Sequence, residues 1–221
     1  MAVSLARSKR RLLLAASVCS IPEQRPPKAC CFGKCEMSQL EILTVDNPEH
    51  HRILRSRSRK VQQVTQKLVL LAEQMLETMH EANGVGLAAP QVGVPQRLFV
   101  VELPEDEEND QPRQTFILFN PEIVKRGGEQ IGYEGCLSIP GYVGEVARNE
   151  RITVKGLNEK GQPVRHKAEG YLARVFQHEI DHLDGILYID RLTNPDTFRP
   201  VEAGQEEVAE MEAAEMEAAM V

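Results

Sequence analysis

One stretch of the chain has residue types and a spacing that could bind a metal ion, "QHEIDHLDG" at residues 177–185. On an α-helix, His178 and His182 are four residues apart and therefore lie one above the other on one face. Both imidazoles could then reach one ion. Glu179, rotated from His178 by about 100°, could hydrogen-bond a water on that ion. The alternative is a solvated polar helix that carries two histidines, and this stretch alone does not decide between the two interpretations.

A third metal ligand must come from elsewhere, because a catalytic zinc-type site usually has three protein ligands and a water. The protease pattern H-E-x-x-H-x-x-G-x-x-H fails here, since Tyr188 occupies its last position. A second protease pattern would use Glu202, which lies in an acidic tail. The remaining candidate is Cys136 in "GYEGCLSIPG", whose thiolate would be a strong ligand. A free cysteine is also often a small buried apolar side chain, so both roles stay open.

The composition fits one domain with tails. The chain has 221 residues, of which 42% are hydrophobic, enough for the core of a domain of about 150 to 180 residues. A net charge of -7 without a basic stripe in the central region argues against a nucleic-acid-binding surface. Four of the five cysteines lie in the first 36 residues, so we expect no disulfide framework in the body. No apolar stretch approaches the length of a membrane span.

The two ends differ from the body in charge. Residues 1–36 carry a net +5 and residues 201–221 a net -7. The stretch "RSKRRLLLAASV" fits an export signal, an Arg-rich organellar transit peptide, or residues upstream of a true start at Met37, and we favour the last. A metal site at Cys30, Cys31 and Cys35 is disfavoured because no matching partner lies nearby. We predict three regions: a basic extension at 1–36, a catalytic domain at 37–195 and an acidic tail at 196–221.

Apolar periodicity predicts two helices. Between residues 61 and 82, apolar residues recur at steps of three and four, which is typical of an amphipathic helix that Gly84 would stop. These residues are Val61, Val64, Leu68, Leu71, Met75 and Met79. A second helix is predicted from about Gly170 to Leu183, with Gly185 as its C-terminal stop. This second helix carries both histidines.

The region between the helices predicts strands. "RLFVVEL" and "TFILFNPEIV" are rich in β-forming residues and are separated by the surface loop "PEDEENDQP". "RITVKGLNEKGQPVRHKAEG" predicts a hairpin that turns at Asn158 to Gly161. From "NPDTFRP" onward the pattern is lost. We therefore expect a single α+β domain with mixed or antiparallel sheets packed around a central metal-binding helix.

Three segments, in this order, resemble the motifs of the peptide deformylase family. They are "GVGLAAPQ" at 84–91, "EGCLS" at 134–138 and "QHEIDHLDG" at 177–185, which follow the family patterns GxGxAAxQ, EGCLS and QHExDH. No motif position departs from these patterns, and the resemblance covers roughly residues 40–195. It implies a hydrolase that removes the formyl group from N-formylmethionine at the start of new polypeptides.

The resemblance also implies the metal site and the base. One divalent metal ion would be held by Cys136, His178 and His182, with Fe(II) as the family's usual ion and Zn, Ni or Co able to take its place. A thiolate and two imidazoles suit several of these ions. Glu179 would act as the general base, accepting a proton from water and returning it to the departing amine.

The remaining site residues follow from the same resemblance. The Gln91 side-chain amide and the Leu137 backbone N–H would stabilise the negative oxygen that forms during attack. Gly86 would offer main-chain hydrogen bonds to a peptide in the manner of an added strand. Val85 and Val175 would line a pocket for the methionine side chain.

Partners and location follow as expectations. N-formylmethionyl nascent peptides are the expected substrates, with the ribosome exit region as a transient partner and with no specific nucleic acid and no membrane. The expected location is the bacterial cytoplasm, or an organelle if residues 1–36 are a transit peptide. Two other functions stay open. The first is a zinc endopeptidase, which would use Glu202 as third ligand. The second is a metal-bearing binding module without turnover, which Glu179 makes less favoured, because a structural site needs no base.

Overall fold

A computed structural model describes residues 39–105 and 112–201 of the chain. The basic extension at 1–36 with Cys30, Cys31 and Cys35, the start at Met37, and Glu202 in the acidic tail lie outside the described residues. The elements within the described ranges are α1 (Pro48–Leu54), α2 (Gln66–Glu81), β1 (Gly86–Ala88), β2 (Leu98–Leu103), β3 (Gln114–Gly127), β4 (Gln130–Cys136), β5 (Ile139–Arg148), β6 (Arg151–Leu157), β7 (Pro163–Glu169), α3 (Gly170–Asp184) and β8 (Arg199–Pro200). None of these helices is long and apolar enough to cross a membrane.

The strands form two antiparallel sheets. One sheet has five strands in the order β1-β2-β3-β6-β7, and the other has three in the order β4-β5-β8. Strand β3 shifts register against β6 at two points, between Phe119 and Glu122 and between Ile123 and Lys125. Such bulges bend a strand and increase its twist. The prediction of an α+β domain is confirmed, and of the two sheet types that we expected, the antiparallel one is present.

Strand β2 is covered by a helix on each face, which explains its unbroken apolar run. Leu98 and Val100 belong to the core cluster on the α2 side. Phe99 and Val101 point the other way, into the cluster that contains the apolar residues of α3. In that second cluster the Phe99 and Phe176 rings lie 5.3 Å apart, centroid to centroid. The helix that carries both histidines is therefore packed in the centre of the fold.

Helix α2 starts five residues later than the periodicity predicted, at Gln66 rather than at residue 61. Val61 is buried in the α2 core cluster, but from an extended segment. The side-chain amide of Asn120 pairs with both backbone groups of Val61, at 2.8 Å each. Because these bonds replace the helical ones, the predicted start is wrong. Asn120 is distant in sequence, and local periodicity could not reveal this contact.

Helix α3 and the long hairpin confirm the sequence predictions. Helix α3 runs from Gly170 to Asp184, and Gly185 ends it with a φ of 76°, a left-handed conformation that glycine adopts readily. Strands β6 and β7 are joined by a turn in which the Gly161 N–H donates to the Asn158 carbonyl at 2.9 Å. The position of the face that carries His178 and His182 is thus set by a helix whose ends the sequence predicts.

The segment after residue 194 is more regular than the sequence predicted. The Asn194 side chain accepts a hydrogen bond from the Asp196 N–H at 2.9 Å and begins a short 3-10 turn. Strand β8 then pairs with β5, and Phe198 stacks on Tyr142 with ring centroids 5.0 Å apart. No regular structure was predicted from "NPDTFRP" onward, and this prediction is wrong for the segment up to Pro200. A strand of two residues is too short to show the alternation of apolar and polar residues by which strands are predicted. The domain boundaries at 36 and 195 stay predictions.

Candidate metal centre and active site

Strand β4 and helix α3 bring three candidate metal ligands together. Cys136 ends β4, and His178 and His182 lie on successive turns of α3. The two histidine Nε2 atoms are 3.2 Å apart, and Cys136 Sγ lies 3.2 Å from His182 Nε2. One donor atom from each of the three residues lies within 4.8 Å of the others.

These distances fit a shared ion. Two nitrogen ligands at about 2.1 Å from a tetrahedral ion lie about 3.4 Å apart, close to the spacing between the two imidazoles. A thiolate with two imidazoles is also a donor set that zinc, iron, cobalt and nickel accept. The residues present therefore fit one divalent metal ion.

The tight turn between β4 and β5 positions the cysteine. The strand register shifts between Gly135 and Cys136, so that Cys136 pairs directly with Ile139. Cys136 is half-buried and packs against an apolar cluster that includes Tyr188. Its sulfur nevertheless faces the histidine nitrogens. Cys136 thus combines the packing role and the ligand geometry that the sequence left as alternatives.

Glu134 orients the first histidine. Its Oε2 accepts a hydrogen bond from His178 Nδ1 at 2.9 Å, which leaves His178 Nε2 free to act as a metal ligand. Arg148 donates to both Glu134 oxygens at 2.8 Å each. Burial opposes ionisation of Glu134, but the hydrogen bonds from Arg148 and His178 outweigh it and hold the pKa of this carboxyl well below its usual range. Glu134 therefore stays charged and fixes the histidine tautomer.

No role was predicted for Glu134, although the sequence contains a signal for one. Glu134 stands two residues before Cys136 on the same strand, and alternate residues of a strand point to the same face. A carboxylate at this spacing is thus placed beside Cys136.

Gln177 is a second residue for which no role was predicted. Its side chain donates to the Asn149 carbonyl at 2.8 Å and accepts from the Asn149 N–H at 3.0 Å. This pair ties α3 to the turn between β5 and β6.

Glu179 lies beside the ligands with an unused oxygen. Its side chain is buried, and Glu179 Oε2 has no hydrogen-bond partner among the residues that the structure describes. Burial raises the pKa of the Glu179 carboxyl to about 7. A carboxyl with a pKa near neutrality can both accept and return a proton at ordinary pH. The arrangement suits a general acid–base group.

Gly86 provides the space that Glu179 fills. A Cβ on residue 86 would lie 2.9 Å from Glu179 Cδ, closer than real Cβ contacts allow. Gly86 also begins β1, the edge strand of the five-stranded sheet, and in the described part of the chain only β2 pairs with β1. An edge strand of this kind can accept a peptide as a further strand.

Gln91 and the residues after Cys136 offer hydrogen-bond donors near the ligands. The Ala88 N–H donates to Gln91 Oε1 at 2.8 Å, which turns the Gln91 amino group toward Ser138 Oγ at 3.2 Å and Cys136 Sγ at 3.6 Å. Leu137 follows Cys136 in the turn between β4 and β5. The structure thus brings the Gln91 amide close to one candidate ligand, Cys136, and Leu137 is the next residue in the chain after that cysteine.

Val85 and Val175 belong to one apolar cluster. Val175 is buried in the core cluster between α3 and the sheet, and Val85 is partly buried against the same cluster. Their expected role as walls of a methionine pocket stays a prediction.

Comparisons with known proteins agree on one family. The sequence matches the family profile described as polypeptide deformylase over residues 39–198. A peptide deformylase from Thermomicrobium roseum is 46% identical over 176 residues, covering 79% of this chain and 97% of that protein. The crystal structure of peptide deformylase from Thermus thermophilus has a TM-score of 0.64 and 43% identity, covering 82% of this chain and 100% of that one.

A third similar protein is a class I type b peptide deformylase from Acinetobacter baumannii with Met-Ala-Ser bound. Its structure has a TM-score of 0.63 and 36% identity, covering 70% of this chain and 99% of that one. Together with the matching profile, these similarities identify the fold and its family. The chain belongs to the peptide deformylase family of metal-dependent hydrolases, which remove the formyl group from the N-terminus of newly synthesised polypeptides.

Proposed function

We propose that Cys136, His178 and His182 hold the metal ion of this deformylase and that Glu179 is its general base. The observation that carries the proposal is the convergence of the three donor atoms within 4.8 Å. Two of them lie on helix α3, which also carries Glu179, whose buried Oε2 has no hydrogen-bond partner among the described residues. We propose Fe(II) as the resident ion, while Zn, Ni and Co suit the same donors. When bound, a divalent ion lowers the pKa of a coordinated water and polarises the formyl oxygen.

Glu179 moves the proton in this mechanism. Its carboxylate accepts a proton from the attacking water, as the water oxygen bonds to the formyl carbon. When the carbon–nitrogen bond breaks, Glu179 returns this proton to the departing amine nitrogen. The products are formate and a peptide with a free N-terminus. A pKa of about 7 makes the Glu179 carboxyl suitable for both transfers.

Gln91 and Leu137 stabilise the charge that develops on the formyl oxygen. The Gln91 Nε2–H and the Leu137 backbone N–H are the proposed donors, and fixed donors are effective because they need no reorganisation during the reaction. The hydrogen bond from Ala88 supports this role, because it holds the Gln91 amide with its amino group toward Cys136.

The substrate is an N-formylmethionyl nascent peptide that adds as a strand beside β1. Gly86 supplies main-chain hydrogen bonds, and Val85 and Val175 contact the methionine side chain. The Met-Ala-Ser bound to the Acinetobacter baumannii protein supports a substrate of this kind. We place the reaction near the ribosome exit region of the bacterial cytoplasm, or in an organelle if residues 1–36 are a transit peptide, with no specific nucleic acid and no membrane as partner.

The substrate range tests the proposed function. A formyl group is the smallest acyl group, so a site built for it leaves no room for a chain on the acyl side, whereas an endopeptidase needs space on both sides. We expect rapid formate release from formyl-Met-Ala-Ser, much slower acetate release from the acetyl analogue, and no cleavage of casein. Formate and new amine are measured by coupled assay and mass spectrometry, with the iron enzyme kept anaerobic.

The opposite result would change the assignment. Comparable cleavage of internal peptide bonds, lost when Glu202 is replaced, would make the protein an endopeptidase and remove Cys136 from the ligand set.

The contact between Gly86 and Glu179 gives a further prediction. We expect Gly86→Ala to lower kcat/KM for formyl-Met-Ala-Ser by up to about 10²-fold, because the added methyl group displaces the base and small misplacements of catalytic groups cost this much. The matched control is Gly127→Ala, since a Cβ there meets no atom within 4 Å. Wild-type kcat/KM in Gly86→Ala would show that Glu179 tolerates the displacement or has no catalytic role.

A further inference from the structure

Arg191, which lies outside the three motifs, contacts the charged network behind the metal ligands. It ends the 3-10 turn Tyr188–Arg191 that follows α3. Its Nε and Nη2 donate to both carboxylate oxygens of Asp181, with Nη2 at 2.7 Å from Oδ1. The Arg191 side chain is 42% exposed, whereas the Asp181 side chain is 10% exposed. The arginine therefore holds a nearly buried carboxylate from the outside.

Arg148 connects this pair to the metal centre. Its side chain is 3% exposed and bridges two carboxylates. Arg148 Nη1 donates to Asp181 Oδ2, while Nε and Nη2 donate to Glu134. Glu134 in turn accepts from His178 Nδ1. A continuous series of charged hydrogen bonds thus runs from Arg191 to a metal ligand.

Arg191 can affect the metal centre because Asp181 and Glu134 share one guanidinium, that of Arg148. In a buried network each carboxylate depends strongly on its partners, because little solvent can replace them. Asp181 has two cationic partners among the described residues, Arg191 and Arg148. Without Arg191, Asp181 would keep only Arg148 and would draw its guanidinium away from Glu134. Glu134 would then keep Arg174 at 3.2 Å but would lose part of its contact with Arg148, so the position of the carboxylate that orients His178 would be less fixed.

We propose that Arg191 is a positioning residue of the metal centre, which acts through Asp181, Arg148 and Glu134 on the ring of His178. The proposal rests on the ligand set assigned under the proposed function. It concerns the retention and geometry of the ion, since Arg191 itself touches neither ligand nor substrate in the proposed mechanism.

The turn that carries Arg191 is anchored in two other ways. The Tyr188 ring stacks on the His178 ring at 6.2 Å between centroids. The Tyr188 hydroxyl donates to the Tyr142 carbonyl at 3.0 Å. Asp190 forms an ion pair with Arg55 and accepts from the Leu187 N–H. The backbone that holds Arg191 is therefore fixed, and its side chain can be changed with little effect on the fold.

The surroundings of Arg191 provide a matched control. Arg191 lines a cavity of about 340 Å³ together with Asp181, Arg148 and Arg126. Arg126 is exposed and takes part in no ion pair within residues 39–105 and 112–201. Arg126→Met therefore removes the same charge from the same cavity without touching the network.

The test uses the cobalt-loaded full chain and the variants Arg191→Met, Arg191→Lys and Arg126→Met. Cobalt loss to excess chelator should be about tenfold faster in Arg191→Met, since outer partners of metal ligands contribute at least about this factor. Its kcat should fall by a similar factor with KM unchanged, and its cobalt absorption bands should shift. Arg191→Lys should be intermediate, because lysine keeps the charge but not the two parallel hydrogen bonds. Arg126→Met should match the wild type.

Two results with the methionine variants would overturn the proposal. One is cobalt loss from Arg191→Met at the wild-type rate; the other is an equal acceleration in Arg126→Met. If Arg191→Met does not fold, Arg191→Lys decides, and wild-type cobalt retention and absorption in Arg191→Lys overturn the proposal. If the wild type itself shows no thiolate-to-cobalt absorption, the ligand set is wrong, and this outcome is distinct from failure of the positioning role.

Discussion

Glu179→Ala should bind its metal ion as the wild type does and lose deformylation by about 10² to 10⁴-fold, the range for removal of a general acid–base group. Glu179 is not part of the cluster of three donor atoms, so its removal leaves the ligands in place. Its buried carboxyl, with a pKa of about 7, is the described group best suited to exchange a proton with water at this site. Metal content after dialysis checks the retained metal binding, and formate release from formyl-Met-Ala-Ser checks the loss of deformylation.

Glu179→Gln is the control for shape. Glutamine fills the same volume and can hydrogen-bond a water, but it cannot accept a proton. We expect the same loss of activity as in Glu179→Ala, together with a thermal stability equal to or above that of the wild type, because Glu179 Oε2 is buried without a hydrogen-bond partner among the described residues, which is costly for a charged oxygen. An active Glu179→Ala or Glu179→Gln enzyme would contradict the assigned base.

Cys136→Ser should lose most of its metal and with it nearly all activity. A serine hydroxyl stays protonated at neutral pH and is a poor ligand, whereas a coordinated cysteine is a thiolate. Changes in outer partners alone weaken metal binding by about 10 to 100-fold, so loss of a direct ligand should exceed about 100-fold. Competition with a chromophoric chelator measures this change in affinity.

Cys136→Ala separates ligation from packing. If Cys136 only packs against the cluster around Tyr188, alanine should keep the metal ion and the activity. If the sulfur is a ligand, Cys136→Ala and Cys136→Ser should lose the metal equally. Full metal occupancy with ordinary activity in either variant would leave Cys136 with a packing role alone.

The helical part of the site could be predicted because local spacing determines it. The four-residue step between His178 and His182 places both imidazoles on one face of any α-helix, and Gly185 marks where this helix ends. Residue types and spacing left the third ligand open between Cys136 and Glu202. Cys136 lies on strand β4, so its position relative to the helix depends on tertiary structure, and only the resemblance to the family favoured it as the third ligand.

The spacing of Glu134 and Cys136 on one strand was a usable signal, but the contacts of Glu134 with the rest of the network could not be predicted, for the same reason. Glu134, Arg148 and Asp181 lie on β4, β5 and α3, and no local pattern records that a hairpin and a helix will place them in contact. The start of α2 shows the same limit. Val61 fits the helical period, but the amide of Asn120 takes both of its backbone groups. Contacts between distant residues decided each of these cases.

Anomalous diffraction from crystals of the active, metal-loaded protein tests the central claim most directly, because it locates the ion itself. We predict one strong anomalous peak at about 2.0 to 2.4 Å from Cys136 Sγ, His178 Nε2 and His182 Nε2, with Glu179 outside this ligand shell. A peak without the sulfur, or one that replaces Cys136 by Glu202, would contradict the proposed site and the mechanism built on it.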